Sequence, residues 1–235
     1  FYHKLIIPFL IPFLLMMAIG PKLKWIKSDL KDKIYLFSLL VISVLISFFI
    51  VKNFNANVLV NTILISAALY LFFITLRDFF NKKYKNLAQN TAHFGFSLLI
   101  LSILFNNLFS SEIITNLKVG ETYNSSKTKI VFESINQKKQ KNYNSIIANF
   151  SITNSEGINN NLSPELRIYN QPKITTSEAD IKTTLMKDKF IVINLVQNQD
   201  YFNVRYQVKP FMLWIWLSVM IISLGGLISL LKKRT

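Results

Sequence analysis

Charge-free apolar runs divide the chain before any motif does. They cover Leu5–Pro21, Ile34–Val51, Asn57–Leu76, Thr91–Ser111 and Phe211–Leu231. A helix needs about 20 mostly apolar residues to cross a hydrocarbon layer roughly 30 Å thick, and four of the runs reach or approach that length. The first run is shorter and holds Pro8 and Pro12, which predicts a kinked or truncated helix. Between the fourth and fifth runs the apolar period changes to two. Ile146, Ala148, Phe150 and Ile152 alternate with polar or small residues until Asn154-Ser155-Glu156-Gly157 supplies a turn. Phe202, Val204, Tyr206 and Val208 alternate in the same way, and Lys129–Ile135, Leu166–Tyr169 and Phe190–Val196 are β-branched or aromatic runs between polar breaks. Short strands at such spacing predict a small sandwich or barrel. The lysine- and asparagine-rich segment Gln137–Asn144 reads as a mobile loop.

The predicted architecture is an α-helical polytopic membrane protein of about five transmembrane helices with an inserted small all-β, outward-facing domain. Residues 1–111 form a four-helix membrane region with spans near 5–21, 34–51, 57–76 and 91–111. Residues 112–209 form the β domain, 210–231 the final span and 232–235 a basic tail. Composition agrees, since 51% hydrophobic residues and 20 phenylalanines among 235 residues are too many for an ordinary soluble domain. The chain opens on Phe1-Tyr2-His3 with no basic stretch before a cleavable apolar core. No removed signal peptide is indicated, and the chain reads as the C-terminal part of something longer.

A net charge of +15 would suit a nucleic-acid partner if the lysines formed one patch. Their placement gives a different reading. Lys22, Lys24, Lys27, Lys31 and Lys33 lie between runs one and two, Arg77, Lys82, Lys83 and Lys85 between runs three and four, and Lys232, Lys233 and Arg234 after run five. All three clusters fall on one side if each run crosses once, and an excess of Lys and Arg in short loops marks the cytoplasmic side. The basic balance therefore reports orientation and no nucleic-acid partner, and the insert faces outward. The absence of cysteine leaves that insert to an ordinary core, although outward compartments permit disulfides.

Trp214 and Trp216, after Lys209-Pro210, sit where the last run enters the bilayer, as an aromatic belt would; ligand stacking is the less favoured reading. Gly225-Gly226 either admits a neighbouring helix or is a tolerated step of small residues.

One of the two histidines, His93, lies one to two turns into the fourth run. Ionisable residues inside a span are rare and mark function by default. Three readings compete: a structural histidine bonded to a neighbouring helix, a proton relay, or a haem or metal ligand. A relay wants carboxylates, and the five runs contain none. A six-coordinate haem needs a second axial ligand, which His3 cannot supply, since the two lie at opposite membrane faces, roughly 20 Å or more apart. His3 reads as an interfacial polar anchor.

Four stretches together resemble the C-terminal third of the CcmF/CycK family of cytochrome c-type biogenesis proteins, the integral membrane haem-lyase component. They are Pro8…Pro12…Gly20-Pro21, then Ala92-His93-Phe94-Gly95, then Pro164-Glu165-x-Arg167-x-Tyr169 with Thr175-Thr176-Ser177-Glu178-Ala179, and finally Lys209-Pro210-Phe211…Trp214-Ile215-Trp216…Gly225-Gly226. The resemblance implies that His93 is an axial ligand to the iron of a haem b, the second ligand lying outside this chain. That haem would help to reduce incoming haem for attachment to apocytochrome c. Implied partners are apocytochrome c, the haem chaperone CcmE, CcmH/CcmI-type subunits and membrane lipid. The implied location is a bacterial inner membrane, or its mitochondrial counterpart, with the β domain periplasmic. The family's tryptophan-rich haem-binding segment and outward histidines have no match here, and no catalytic residue is assigned. Two rival readings stand beside this one. The first is an insertase- or chaperone-like membrane protein whose β domain binds polypeptide and whose His93 is structural. The second is a b-type electron-transfer subunit, which would normally carry paired histidines in its spans.

Overall fold

A computed structural model describes residues 2–22, 30–54, 57–80, 86–154, 157–196 and 200–232. Lys24, Lys27, Lys82, Lys83, Lys85, Lys233 and Arg234, invoked above for orientation, lie outside the described residues. The chain separates into two compact units, Phe1–Leu108 with Phe211–Thr235, and Phe109–Pro210.

The first unit is helical. Helix α1 covers Tyr2–Ile19 and ends in a 3-10 turn, Gly20–Lys22; α2 covers Leu30–Lys52, α3 Val58–Phe80, α4 Leu87–Phe109 and α5 Met212–Lys232. Helices α2 to α5 are long and apolar enough to cross a membrane, while α1 carries the shorter apolar stretch Pro8–Lys22. Helix α3 is central: 56% of its apolar window is buried, against 17% for α2, 22% for α4 and 11% for α5. Its Ile65, Ala68, Leu71 and Ile74 pack with Leu14 and Ala18 of α1, Val51 of α2 and Leu101 of α4. The outward faces carry Phe9, Met16, Phe37, Phe49, Trp216 and Met220, all more than half exposed. So large an apolar surface is unusual in water and ordinary in lipid. Hydroxyls inside these helices bond back to their own backbone, as Ser43 does to the Leu39 carbonyl at 2.8 Å and Ser218 to that of Trp214 at 2.5 Å. Such bonding satisfies those hydroxyls in hydrocarbon, whereas the buried Thr62 hydroxyl of α3 has no partner among the described residues.

The second unit is an antiparallel β-sandwich. One sheet has the order β1-β10-β9-β8, built from Ser111–Leu117, Phe202–Pro210, Lys187–Leu195 and Asp180–Thr183. The other has the order β2-β3-β4-β6-β7, built from Thr122–Asn124, Thr128–Lys139, Tyr143–Asn154, Glu165–Tyr169 and Thr175–Glu178, with β5 (Asn159–Leu162) also paired to β4. Ile130, Phe132, Ala148, Phe150, Ile152 and Leu166 meet Ile191, Ile193, Val204 and Tyr206 in one core. The rings of Phe132 and Phe150 stack at 4.4 Å. A bulge between Phe132 and Ser134 inserts one residue into β3, which keeps Ile135 against the core despite the odd spacing.

Gln137–Asn144 does not form the expected loop. β3 runs on to Lys139 and β4 starts at Tyr143, pairing Gln137 with Ile146 and Lys139 with Asn144. Backbone pairing along this hairpin overrides the poor strand propensity of lysine and asparagine.

Candidate functional site

Helix α4 places His93, and its neighbours show where the ring points. At 3.6 residues per turn, positions 93, 97, 100 and 104 share one stripe. Ser97 on that stripe is fully buried, and Ile100 and Leu104 pack against the helical core. His93 therefore belongs to the bundle-facing side of α4, where it is half-buried. The residues on either side fix α4 in its slot. The Phe94 ring lies 5.2 Å from that of Phe72 and 5.6 Å from that of Phe79, both on α3. The Phe96 ring meets that of Phe13 on α1 edge-on at 5.8 Å.

The remaining side of α4 carries α5. A methyl group on Gly95 would sit 2.9 Å from the Ile222 backbone nitrogen. One on Gly225 would sit 2.7 Å from the backbone nitrogen of Ala92 and 3.0 Å from the Ala88 carbonyl oxygen. Around Gly226 there is open space. The open question about the Gly225-Gly226 pair thus resolves residue by residue: Gly225 admits α4, and Gly226 is a tolerated small step. The histidine is followed two residues later by a glycine because its helix must lie backbone to backbone against another.

The five apolar runs contain no carboxylate, which predicts spans free of acids. The structure corrects this. Helix α3 continues beyond its apolar run, through Arg77 and Asp78 to Phe80. Asp78 is 7% exposed and accepts a hydrogen bond from the Lys22 ammonium at 2.5 Å, an ion pair whose side chains are 4% and 8% accessible. The charged residues Arg77 and Asp78 bounded the apolar run, but helical geometry does not stop where hydropathy does. Arg77 lies over the Tyr35 ring of α2 at 3.7 Å. Asp78 turns to the bundle interior, where Lys22 neutralises it. The visible signal was Arg-Asp directly after an apolar run with no helix breaker between.

His3 lies in the first turn of α1, and the Lys22 that pairs with Asp78 follows the last turn. Sixteen residues separate His3 from Ile19, a rise of about 24 Å along a helix. The structure does not bring the two histidines together. Among the described residues no group of three or more His, Cys, Asp or Glu could hold a metal ion. The ring nitrogens of His93 also make no hydrogen bond there.

Residues 108–210 match the family model of the CcmF C-terminal beta-sandwich. Over its whole length the chain is 24% identical to the cytochrome c-type biogenesis protein CcmF of Haemophilus influenzae and 22% identical to that of Escherichia coli, covering 39% and 38% of them. A solved structure described as cytochrome c heme lyase CcmF superposes with a TM-score of 0.72 over 96% of this chain and 39% of that one, at 16% identity.

Residues 108–210 belong to the CcmF C-terminal beta-sandwich family. The whole chain is similar to a C-terminal portion of CcmF and spans about two fifths of the length of those relatives. The family match covers the β-sandwich, and the structural likeness extends the CcmF fold to the helices. The expected fold class, a helical membrane part carrying an inserted β domain, is borne out.

Within the sandwich two arginines pair with glutamates. Arg205 and Gln207 both donate to Glu112, and these hydrogen bonds hold the carboxyl below its usual range, with the Gln207 bond the larger cause. Arg167 donates to Glu165 at 2.9 Å and lowers that carboxyl in turn. Arg167 and Glu165 belong to the stretch that resembles the family, and here they brace β6 against β7, with Glu178 3.8 Å from Arg167.

Proposed function

We propose that this chain is part of a membrane haem lyase that attaches haem to apocytochrome c, and that His93 is an axial ligand to a haem b held among its helices. Family membership supports the haem-lyase setting. The observation that carries the site is His93 itself, half-buried on the bundle-facing stripe of α4 with no hydrogen-bond partner for its ring among the described residues.

The residues present fit that group in their chemistry. A neutral imidazole beside the phenylalanines of α3 and α4 offers one nitrogen lone pair in apolar surroundings, which suits an iron ligand. His93 would supply one protein bond to the iron, and a further ligand would come from outside this chain. When bound, the haem would supply one-electron chemistry. The chain's own residues would orient and insulate it. Gly225 and Gly95 let α5 lie against α4, which fixes the helix bearing His93. The Lys22–Asp78 pair leaves no net charge of its own in the bundle. In the same reading the β-sandwich faces the periplasm, where apocytochrome c and partners such as CcmE and CcmH/CcmI-type subunits would meet it.

The alternative, a structural His93 in a polypeptide-binding membrane protein, would require the imidazole to bond a neighbouring helix. The structure supplies no such bond among the described residues. Cavity rescue tests the proposal. His93→Gly in the intact protein should lose its haem spectrum and regain part of it with added imidazole. A spectrum indifferent both to the substitution and to imidazole would refute the ligand assignment.

A further inference from the structure

Strand β3 is an edge strand for half of its length. It pairs with β2 only over Lys129–Val131, after which Phe132 exchanges backbone bonds with Gly120 and Glu121. From Ser134 to Lys139 it pairs with β4 on one side, and among the described residues no strand lies along the other. The direction of its bonds follows from the hairpin. The Gln140 N–H donates to the Tyr143 carbonyl at 2.9 Å, and bonded and non-bonded pairs then alternate along an antiparallel ladder. Asn136 and Lys138 therefore bond β4, while Ile135, Gln137 and Lys139 turn their N–H and C=O groups outward. Ala148, opposite Ile135, agrees: its N–H donates to the Pro164 carbonyl at 3.0 Å, away from β3.

The side chains of those outward-bonding residues share the inner face of the sheet. Gln137 lies opposite Ile146, Lys139 opposite Asn144, and Asn144 opposite Ile168, and directly opposed residues share a face. Ile146 and Ile168 pack against the sandwich core. Both isoleucines, with Gln137, Lys139 and Asn144, line a cavity of about 530 Å³. An edge with spare backbone groups thus runs beside a hollow large enough to take side chains.

Charge narrows the occupant. Lys139 and, in the turn, Lys141 form no ion pair among the described residues. The nearest acid along β3 is Glu133, six residues from Lys139, about 20 Å in an extended strand. A second copy would bring the same lysines and be repelled, which is how edge lysines suppress self-pairing. Other edges of the sandwich differ. β7 and β8 have four residues each, and β1, although seven long, carries Glu112 as its only charged residue.

We propose that the open edge of β3 takes up an extended acidic segment of a partner polypeptide as an added strand. The added backbone bonds Ile135, Gln137 and Lys139, its alternate side chains enter the cavity over Ile146 and Ile168, and its carboxylates meet Lys139 and Lys141. Strand addition draws affinity from main-chain bonds and selectivity from pockets at every second residue. This edge offers both within one hairpin. Uptake of the strand concerns the sandwich alone and depends neither on His93 nor on haem.

Fluorescence anisotropy of labelled peptides, with the intact protein in nanodiscs of neutral lipid, tests this. The probe is a peptide of alternating valine and threonine with two glutamates at each end, and its counterpart carries lysines in their place. The acidic peptide should bind and the basic one should bind many-fold more weakly. N-methylation of two consecutive central residues, which leaves neither edge of the peptide intact, should abolish binding to the unchanged protein. Gln137→Pro removes one outward N–H and keeps the bonds to β4, as proline on an edge strand allows. It should weaken binding about tenfold, roughly the loss of one hydrogen bond. Should that variant misfold, the N-methylated peptide gives the same reading. Lys139→Glu should weaken the acidic peptide and strengthen the basic one. Failure of the acidic peptide to bind, equal affinity for both charge forms, or indifference to N-methylation would overturn the proposal. Displacement of the peptide by an equal concentration of inorganic phosphate would overturn it too, by revealing a simple anion site.

Discussion

Replacing Gly225 with alanine adds one methyl group where α5 lies against α4. That methyl would stand 2.7 Å from the Ala92 backbone nitrogen, 2.9 Å from its Cβ and 3.0 Å from the Ala88 carbonyl oxygen. Two of the three obstacles are helix backbone, so no side-chain rotation relieves the clash and the helices must separate. Overpacking of this kind costs about 1–3 kcal/mol. Alanine also gains helix propensity over glycine, about 1 kcal/mol. Gly226→Ala carries the same gain with nothing within 4 Å of the new methyl, so the difference between the variants isolates the clash. Gly225→Ala should be less stable than Gly226→Ala by about 2 kcal/mol, roughly the middle of that overpacking range. Unfolding equilibria of the intact protein in mixed micelles, followed by steric trapping, would measure it. Equal stability of the two variants within about 0.5 kcal/mol, the usual scatter of inconsequential substitutions, would refute the close-packed α4–α5 seam.

Asp78→Asn leaves the Lys22 ammonium buried without its counter-ion, which should cost about 3–5 kcal/mol; the double variant Lys22→Met, Asp78→Leu should recover most of it in the same assay. Tyr206, 2% exposed with no partner for its hydroxyl, has its phenol pushed up from 10.0 to about 12 by burial. Its folded pKa exceeds the unfolded value, so its contribution is full below pH 10.0 and is lost as pH rises toward about 12. Denaturant melts of the sandwich across that window should show falling stability, and Tyr206→Phe should flatten the slope. Reporter fusions after Lys127 and after Lys233 should report opposite compartments, because an odd number of crossings separates them.

Much of this fold was legible because lipid and sandwich impose simple periods. Phe150 and Tyr206 sit in the core where alternation predicts, and α2 to α5 follow the apolar runs. The hairpin Lys138–Asn144 was not legible, because propensity cannot register backbone pairing with a strand whose partner side chains are elsewhere. The Lys22–Asp78 pair was hidden for a related reason: hydropathy ends a span at its first charge, whereas α3 ends only at Phe80. His93 stood out as a histidine in an apolar run. Its bundle-facing stripe depended on knowing which faces of α4 meet α1, α3 and α5, and that belongs to tertiary packing.

The central claim is that His93 holds a haem iron. Absorption spectra of the intact protein, purified with His93→Ala or with His3→Ala, test it most directly. The account predicts that His93→Ala loses most of its haem, or shows a shifted Soret band from the lost axial ligand, while His3→Ala keeps the parent spectrum. A His93→Ala protein with full haem content and an unaltered Soret band would contradict it.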